Sequence, residues 1–227
     1  MLKIGAQNIT GLCVGEEKIT KAYLGADLVF SAKKPSRLPE GYAELEYIQN
    51  ADYTSYISPG KTLHFGSDFV FTFSATEIHT SRDQTYIHAA DNFFLQIKYL
   101  DKSISWAIKS GSTWSYATIY QNTQANAKIT VSYTYADGAV DVNGTKTTVS
   151  YPRGTPSLPS TIKSKYSSPI ARFYYFKGKS STYPDSNVYN FELIPCINPS
   201  GIVGLYDLTN STFIGPTNGT FIAGPAV

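Results

Sequence analysis

Phenylalanine recurs at every second position through Asp68-Phe69-Val70-Phe71-Thr72-Phe73-Ser74, a period that predicts a strand with Phe69, Phe71 and Phe73 on one face. Residues 93–99, 103–109 and 128–135 alternate in the same way. Residues 139–149 predict a hairpin, because Asn143-Gly144 supplies the two positive-φ positions of a type I′ turn. Asp137-Gly138 marks the turn before it, and further strands are expected over residues 171–176, 189–194 and 202–206. No window of ten or more residues carries a helical stripe. Short strands separated by Gly, Asn, Asp and Pro predict an all-β chain with two packed antiparallel sheets.

The first thirty residues follow a different rhythm. Ile9-Thr10-Gly11-Leu12-Cys13-Val14-Gly15 is followed by Ile19-Thr20-Lys21-Ala22-Tyr23-Leu24-Gly25, and Lys3-Ile4-Gly5 is a weaker partial copy. Each unit reads as a short apolar strand closed by a glycine turn. So short a stretch cannot bury a core of its own and needs something to pack on. It is expected to be an attachment module over residues 1–30, docking through Ile9, Leu12, Val14, Ile19, Tyr23 and Leu24. Residues 31–37, Ser-Ala-Lys-Lys-Pro-Ser-Arg, have the polar, proline-broken composition of a linker. The sandwich is then expected to occupy residues 38–227.

Charge narrows the function. Charged residues make up 16% of the chain and sum to a net +2, without the concentrated Lys and Arg that nucleic-acid binding requires. Tyrosine is abundant instead, with 18 residues, which fits strands that keep one wet face. Cys13 and Cys196 lie at opposite ends of the chain. A single bridge or two reduced thiols fit that spacing, and reduced, buried thiols are the expectation. The N-terminus lacks the apolar run and cleavage site of a secretory signal, and no stretch approaches the roughly 20 apolar residues of a membrane span. A protein made and kept in a cytoplasm, or one that leaves by lysis rather than secretion, is expected.

Two end motifs carry a resemblance. Leu38-Pro39-Glu40-Gly41-Tyr42-Ala43-Glu44-Leu45-Glu46-Tyr47-Ile48-Gln49, with Tyr53-Thr54-Ser55-Tyr56-Ile57, resembles the opening of a laminin-G-like, concanavalin A-like jelly roll. Phe191-Glu192-Leu193-Ile194-Pro195-Cys196, Asn198 to Asp207 and the tail to Phe221 resemble its close. That version of the fold is common in phage structural proteins and gut-bacterial surface proteins. The repeated Ile-Thr-Lys-Ala-Tyr-Leu-Gly unit is similar to N-terminal segments of phage tail or head-fibre proteins. Between the end motifs only strand pattern is shared. Read as residues alone, Tyr53 to Ile57 alternates as a strand, Pro195 ends one, and Gly201 and Gly204 bracket a tight turn into another.

Catalysis finds little support in the pattern. Concanavalin A-like glucanases resembling this fold carry three acids on one strand, whereas Glu44-x-Glu46 lacks a third. His64, His79 and His88 have no Cys or spaced carboxylate beside them, so no metal centre is expected. Asp83, Asp91 and Asn92 could ligate calcium, as in some laminin-G-like domains, although they form no dense oxygen cluster. No nucleophile triad, P-loop or dinucleotide fingerprint is present, and no cofactor is expected.

Sugar binding suits the aromatics better. Lectin sites place a ring beneath the apolar face of a sugar with a few polar groups on the rim. Trp106 and Trp114 flank a polar hairpin, and Trp114, Tyr116 and Tyr120 fall in one phase of a period-two strand. Trp114, Tyr116, Tyr120 and Trp106 are therefore the candidate ligand residues, although Trp106 between Ser105 and Ala107 also fits a core position. The Tyr-rich run Arg172-Phe173-Tyr174-Tyr175-Phe176-Lys177 has apolar residues on both faces, which predicts burial or a subunit interface.

These observations lead to the expectation of a non-enzymatic phage virion protein: a head fibre, decoration protein or tail fibre. Its N-terminus would dock on capsid or tail proteins, and its jelly roll would display weak sites for host or mucosal glycans, strengthened by multivalency. Analogy with fibres favours a homotrimer. A bacterial surface carbohydrate-binding module or adhesin is the alternative, and a glycan-cleaving enzyme a more distant one.

Overall fold

In the computed structural model the alternating segments become strands. The structure describes residues 3–4, 7–8, 12–14, 17–19, 21–24, 27–31, 36–64, 69–77, 84–89, 93–98, 103–110, 112–120, 127–134, 137–149, 158–162 and 171–227. Side chains are described in the same ranges from residue 36 onward, except at 69, 71, 77, 84, 89, 94, 97, 98, 108, 110 and 158–162. The chain divides into two units, residues 1–37 with Val227 and residues 38–226.

The first unit contains three antiparallel ladders among its described residues. β1 (Lys3–Ile4) pairs with β2 (Gln7–Asn8), β3 (Leu12–Val14) with β4 (Glu17–Ile19), and β5 (Lys21–Leu24) with β6 (Asp27–Ser31). The registers Ile4↔Gln7, Val14↔Glu17 and Leu24↔Asp27 put two residues between the strands each time, and the first of the two is Gly5, Gly15 or Gly25. The repeat is thus a strand pair per unit, where the apolar pattern alone showed one strand. The side chains of Leu12, Val14, Ile19, Tyr23 and Leu24, and all of Ile9, lie outside the described residues.

The second unit contains β7 (Ala43–Glu44), β8 (Ile48–Asn50), β9 (Thr62–Leu63), β10 (Phe69–Glu77), β11 (Gln84–Ala89), β12 (Phe93–Lys98), β13 (Ser103–Ser110), β14 (Thr113–Tyr120), β15 (Lys128–Thr134), β16 (Ala139–Val142), β17 (Thr145–Thr148), β18 (Leu158–Ile162), β19 (Ala171–Ser180), β20 (Phe191–Ile197), β21 (Val203–Asp207), β22 (Thr212–Ile214) and β23 (Phe221–Ala223). The larger sheet runs β17-β16-β15-β10-β19-β20-β21-β22, with β7 on β20 and with β8 between β19 and β23. The smaller runs β14-β13-β12-β11-β18-β9. The strand pairings within both sheets are antiparallel. The hairpin at 139–149 forms as its sequence predicts, with Asn143 at φ 51° and Gly144 at φ 89°.

The core lies between the sheets. Phe93 and Trp106 of the smaller sheet belong to one buried cluster with Phe73, Tyr133, Phe173, Phe176 and Phe191 of the larger. Trp106 meets Phe93 edge-on at 4.7 Å and Tyr133 at 5.3 Å, so opposing aromatic rings fill the gap between layers.

A second cluster forms on the outer face of the larger sheet. Leu38, Ile194, Cys196 and Tyr206 are buried there, with Tyr42, Tyr175, Leu208 and Phe213 packed on them. This explains why β20 is buried on both faces: Leu193 points into the core, and Ile194 and Cys196 point out beneath the segment from Leu38 to Tyr42. The opening motif is a cover over the closing one. Pro195 does not end its strand. It pairs opposite Leu205, and its carbonyl accepts the Leu45 N–H at 3.0 Å, so the ladder continues to Ile197 without the missing donor.

Residues 53–57 likewise differ from their predicted strand. The carboxylate of Asp52 accepts the backbone N–H groups of Thr54 (2.8 Å) and Ser55 (2.9 Å) and both their hydroxyls, closing a turn that exposes Tyr53 and buries Ser55 and Ile57.

Asp207 at the end of β21 is the polar anchor of the unit and is 0% exposed. Oδ1 accepts backbone N–H groups from Glu192 (3.1 Å), Thr209 (3.0 Å) and Asn210 (3.3 Å). Oδ2 accepts Nδ2 of Asn210 and Nζ of Lys61, each at 2.6 Å. Lys61 also donates to the Asn187 carbonyl at 2.9 Å, tying the 180–190 loop to the sheet.

Candidate functional site

The hairpin β13–β14 forms one edge of the smaller sheet. Its register pairs Lys109 with Trp114, Ala107 with Tyr116 and Trp106 with Ala117. Cross-strand partners share a face, so Trp114, Tyr116 and Lys109 lie on the side opposite Trp106. Trp106 points into the core and is 2% exposed, which makes it packing rather than platform. Tyr116 is 58% exposed and Trp114 is half-buried beside it. Their rings lie 6.2 Å apart at an interplanar angle of 30°. Nζ of Lys109 sits 5.8 Å from the Trp114 ring centre.

Tyr120 leaves this group. Ser105 pairs with Thr118 but Ile104 pairs with Tyr120, so Ile119 is an extra residue in the strand. The bulge reverses the phase, and Tyr120 packs against the core with Ile119 buried next to it. Of the four candidate residues, then, the fold brings two together at the surface. Lys109 is the neighbour that the one-dimensional pattern did not single out; only the hairpin register places it against Trp114.

Such a surface is suited to a sugar. Two rings in near-parallel planes offer a flat π surface to the C–H groups of a sugar, and the ammonium over the Trp114 ring offers a hydrogen-bond donor to its hydroxyls. A separate depression of about 270 Å³ opens on the larger sheet, lined by Ser132, Thr134, Asp137, Ala139, Asp141 and Lys146. It has polar walls and no aromatic floor.

The other chemistry-bearing residues are dispersed. Glu44 is buried and Glu46 exposed, so the two acids do not share a surface. The buried Cys196 is a free thiol, pushed up to about 12 by burial and then by the nearby Glu44 charge. His64 packs against the rings of Tyr183 (5.4 Å) and Tyr189 (5.3 Å), and His88 is buried in β11. His79, Asp83, Asp91 and Asn92 lie outside the described residues. Among the described residues no group of three His, Cys, Asp or Glu is placed to hold a metal ion.

No family model and no curated protein matches the chain. Among solved structures, a protein of Bacteroides ovatus described as a candidate carbohydrate binder is similar, with a TM-score of 0.52 and 14% identity. The fold is an antiparallel two-sheet jelly roll. The match covers 81% of this chain and 62% of the other, so this chain spans less than two thirds of that protein's length. A heptameric SAP-like pentraxin of Limulus polyphemus has a TM-score of 0.46 and 10% identity over 81% of this chain and 93% of its own.

Proposed function

We propose that the chain is a non-enzymatic virion surface protein that binds glycans through the Trp114–Tyr116 platform and docks through its N-terminal unit. The observation that carries the binding is the near-parallel ring pair, Tyr116 exposed and Trp114 half-buried, with the Lys109 ammonium 5.8 Å over the Trp114 ring. Rings of this size are normally buried for their apolar area, and a pair left on an outer sheet face suits the apolar side of a sugar ring. The lectin-like jelly roll supports the same reading, as does the resemblance of the end motifs and the ten-residue repeat to phage structural and fibre proteins. Displayed copies, in a homotrimer or a larger array, would add weak single-site affinities into useful avidity.

The test is a glycan array probed with the full chain, Trp114→Ala and Tyr116→Ala. Losing an aromatic contact surface costs about 1.5–3 kcal/mol, so each variant should bind its best glycan some tenfold to a hundredfold more weakly. Absence of any glycan ligand, or equal binding by the variants, would overturn the proposal.

A further inference from the structure

The larger sheet carries a second arrangement of rings and charges. In the register, Thr76 of β10 faces Lys128 of β15 on one side and Arg172 of β19 on the other, and Arg172 faces Gln49 of β8. These four residues form a row across adjacent strands on one face. Lys128 and Arg172 are two strand spacings apart, roughly 10 Å.

Two tyrosines fill the space between the cations. Nζ of Lys128 lies 4.4 Å from the Tyr174 ring centre, and the Arg172 guanidinium lies 4.6 Å from that of Tyr47. The two rings meet edge to face at 5.6 Å. A bulge makes this possible. Ser74 pairs with Tyr175 and Ala75 with Phe173, leaving Tyr174 as the extra residue. Phe173 and Phe176 therefore both enter the core while Tyr174 and Tyr175 both turn outward, which resolves the two-sided apolar pattern of this strand. Thr76 Oγ1 donates to the Tyr174 hydroxyl at 3.1 Å. Behind Tyr47, Gly224 leaves no room for a side chain: a Cβ there would lie 2.7 Å from the Tyr47 carbonyl oxygen and 2.9 Å from its ring. The array is fixed from below and behind.

Among the described residues its charge has no acidic partner. Lys177 on the same strand has Glu192 at 2.9 Å, but neither Lys128 nor Arg172 forms an ion pair among the described residues. Nε of Arg172 is buried without a hydrogen-bond partner. Cations held on ring faces keep their N–H donors free for an incoming anion, and a guanidinium can bind a carboxylate or sulfate through two parallel hydrogen bonds.

We infer that Lys128, Arg172, Tyr47 and Tyr174 form a second glycan site, one for sugars bearing an anionic group, carboxylate or sulfate. The two strand spacings between Lys128 and Arg172 match the length of a disaccharide, with the tyrosines between the cations. The site is on the other sheet from Trp114 and uses different chemistry, so it stands or falls separately from the platform.

The test measures binding of the full chain to immobilised polygalacturonate, dextran sulfate and neutral dextran at low and physiological salt. The wild type should bind one or both acidic polymers at least tenfold more tightly than dextran, and more weakly as salt rises. The two acidic polymers distinguish a carboxylate from a sulfate preference. Lys128→Gln with Arg172→Gln should lose about tenfold, and Arg172→Lys should recover only part of it. Lys146→Gln with Lys179→Gln removes as much charge from exposed positions elsewhere and controls for net charge. No preference for either acidic polymer, no loss in the Lys128/Arg172 variant, or equal loss in the control would overturn the inference. Thermal unfolding of each variant confirms that its loss comes from the site and not from the fold.

Discussion

Replacing Asp207 with Ala would strip five N–H donors of their acceptor in a place that water does not reach. Breaking a buried pair from one side costs about 3–5 kcal/mol, because the partner's charge stays behind uncompensated. Asp207→Ala should therefore lower the thermal midpoint more than any exposed substitution, and Lys61→Met should do so less, since it leaves the backbone donors satisfied. A second residue reports on pH. The Cys196 thiol is held neutral in the fold up to about 12, above its unfolded value. Between the unfolded value and that point the unfolded state alone gives up the proton, so stability falls as pH rises through this window. The thermal midpoint should decline more steeply above pH 9 for the wild type than for Cys196→Ala; parallel declines would contradict the assignment. Both residues stand in the closing motif, and neither role was legible there. A hub such as Asp207 is defined by Lys61, Glu192 and Asn210 converging in space, and sequence spacing carries no trace of the first.

Alternation does reveal strands, and it fails where a residue is inserted or a face is covered. Lys128–Thr134 and Ala139–Val142 follow their period and were readable because each has one dry face and one wet face. Bulges at Ile119 and Tyr174 shift the phase by one, moving Tyr120 inward and Tyr174 outward. No composition signal marks either, since the bulged residues are ordinary strand formers. β20 defeats alternation for another reason, being buried on both faces. The hairpin turn is the element whose chemistry was most legible, and it can be tested. Gly144 sits at φ 89°, where a Cβ meets only open space but the backbone conformation disfavours any L side chain. Gly144→Ala should cost about 1–2 kcal/mol from conformation alone, read as a shift of the denaturant midpoint with an unchanged slope. A change in slope would mean that the hairpin had come apart rather than been strained.

At the scale of the molecule, the opening motif decides where the jelly roll begins. Leu38 is buried against Ile194, Cys196 and Tyr206, and Tyr42 meets Tyr206 edge-on at 5.2 Å and Phe213 at 6.1 Å. A fragment of residues 38–227 keeps this cover and should unfold in one cooperative transition near the midpoint of the same unit in the full chain. A fragment starting at residue 43 loses it. Leu38 alone contributes about 1.5–3 kcal/mol of burial, and the face it leaves includes the Cys196 thiol. The shorter fragment should therefore melt earlier, and its thiol should react with a maleimide under native conditions where the longer fragment's does not. If both fragments melt alike with protected thiols, the second cluster contributes no stability. The same pair separates folding from attachment. Loss of residues 1–37 removes all three N-terminal strand pairs, so the 38–227 fragment should remain folded and still bind glycan, yet fail to enter particles during assembly. Particles that take up the fragment as readily as the full chain would place the docking surface on the sandwich, and the ten-residue repeat would then need a different role.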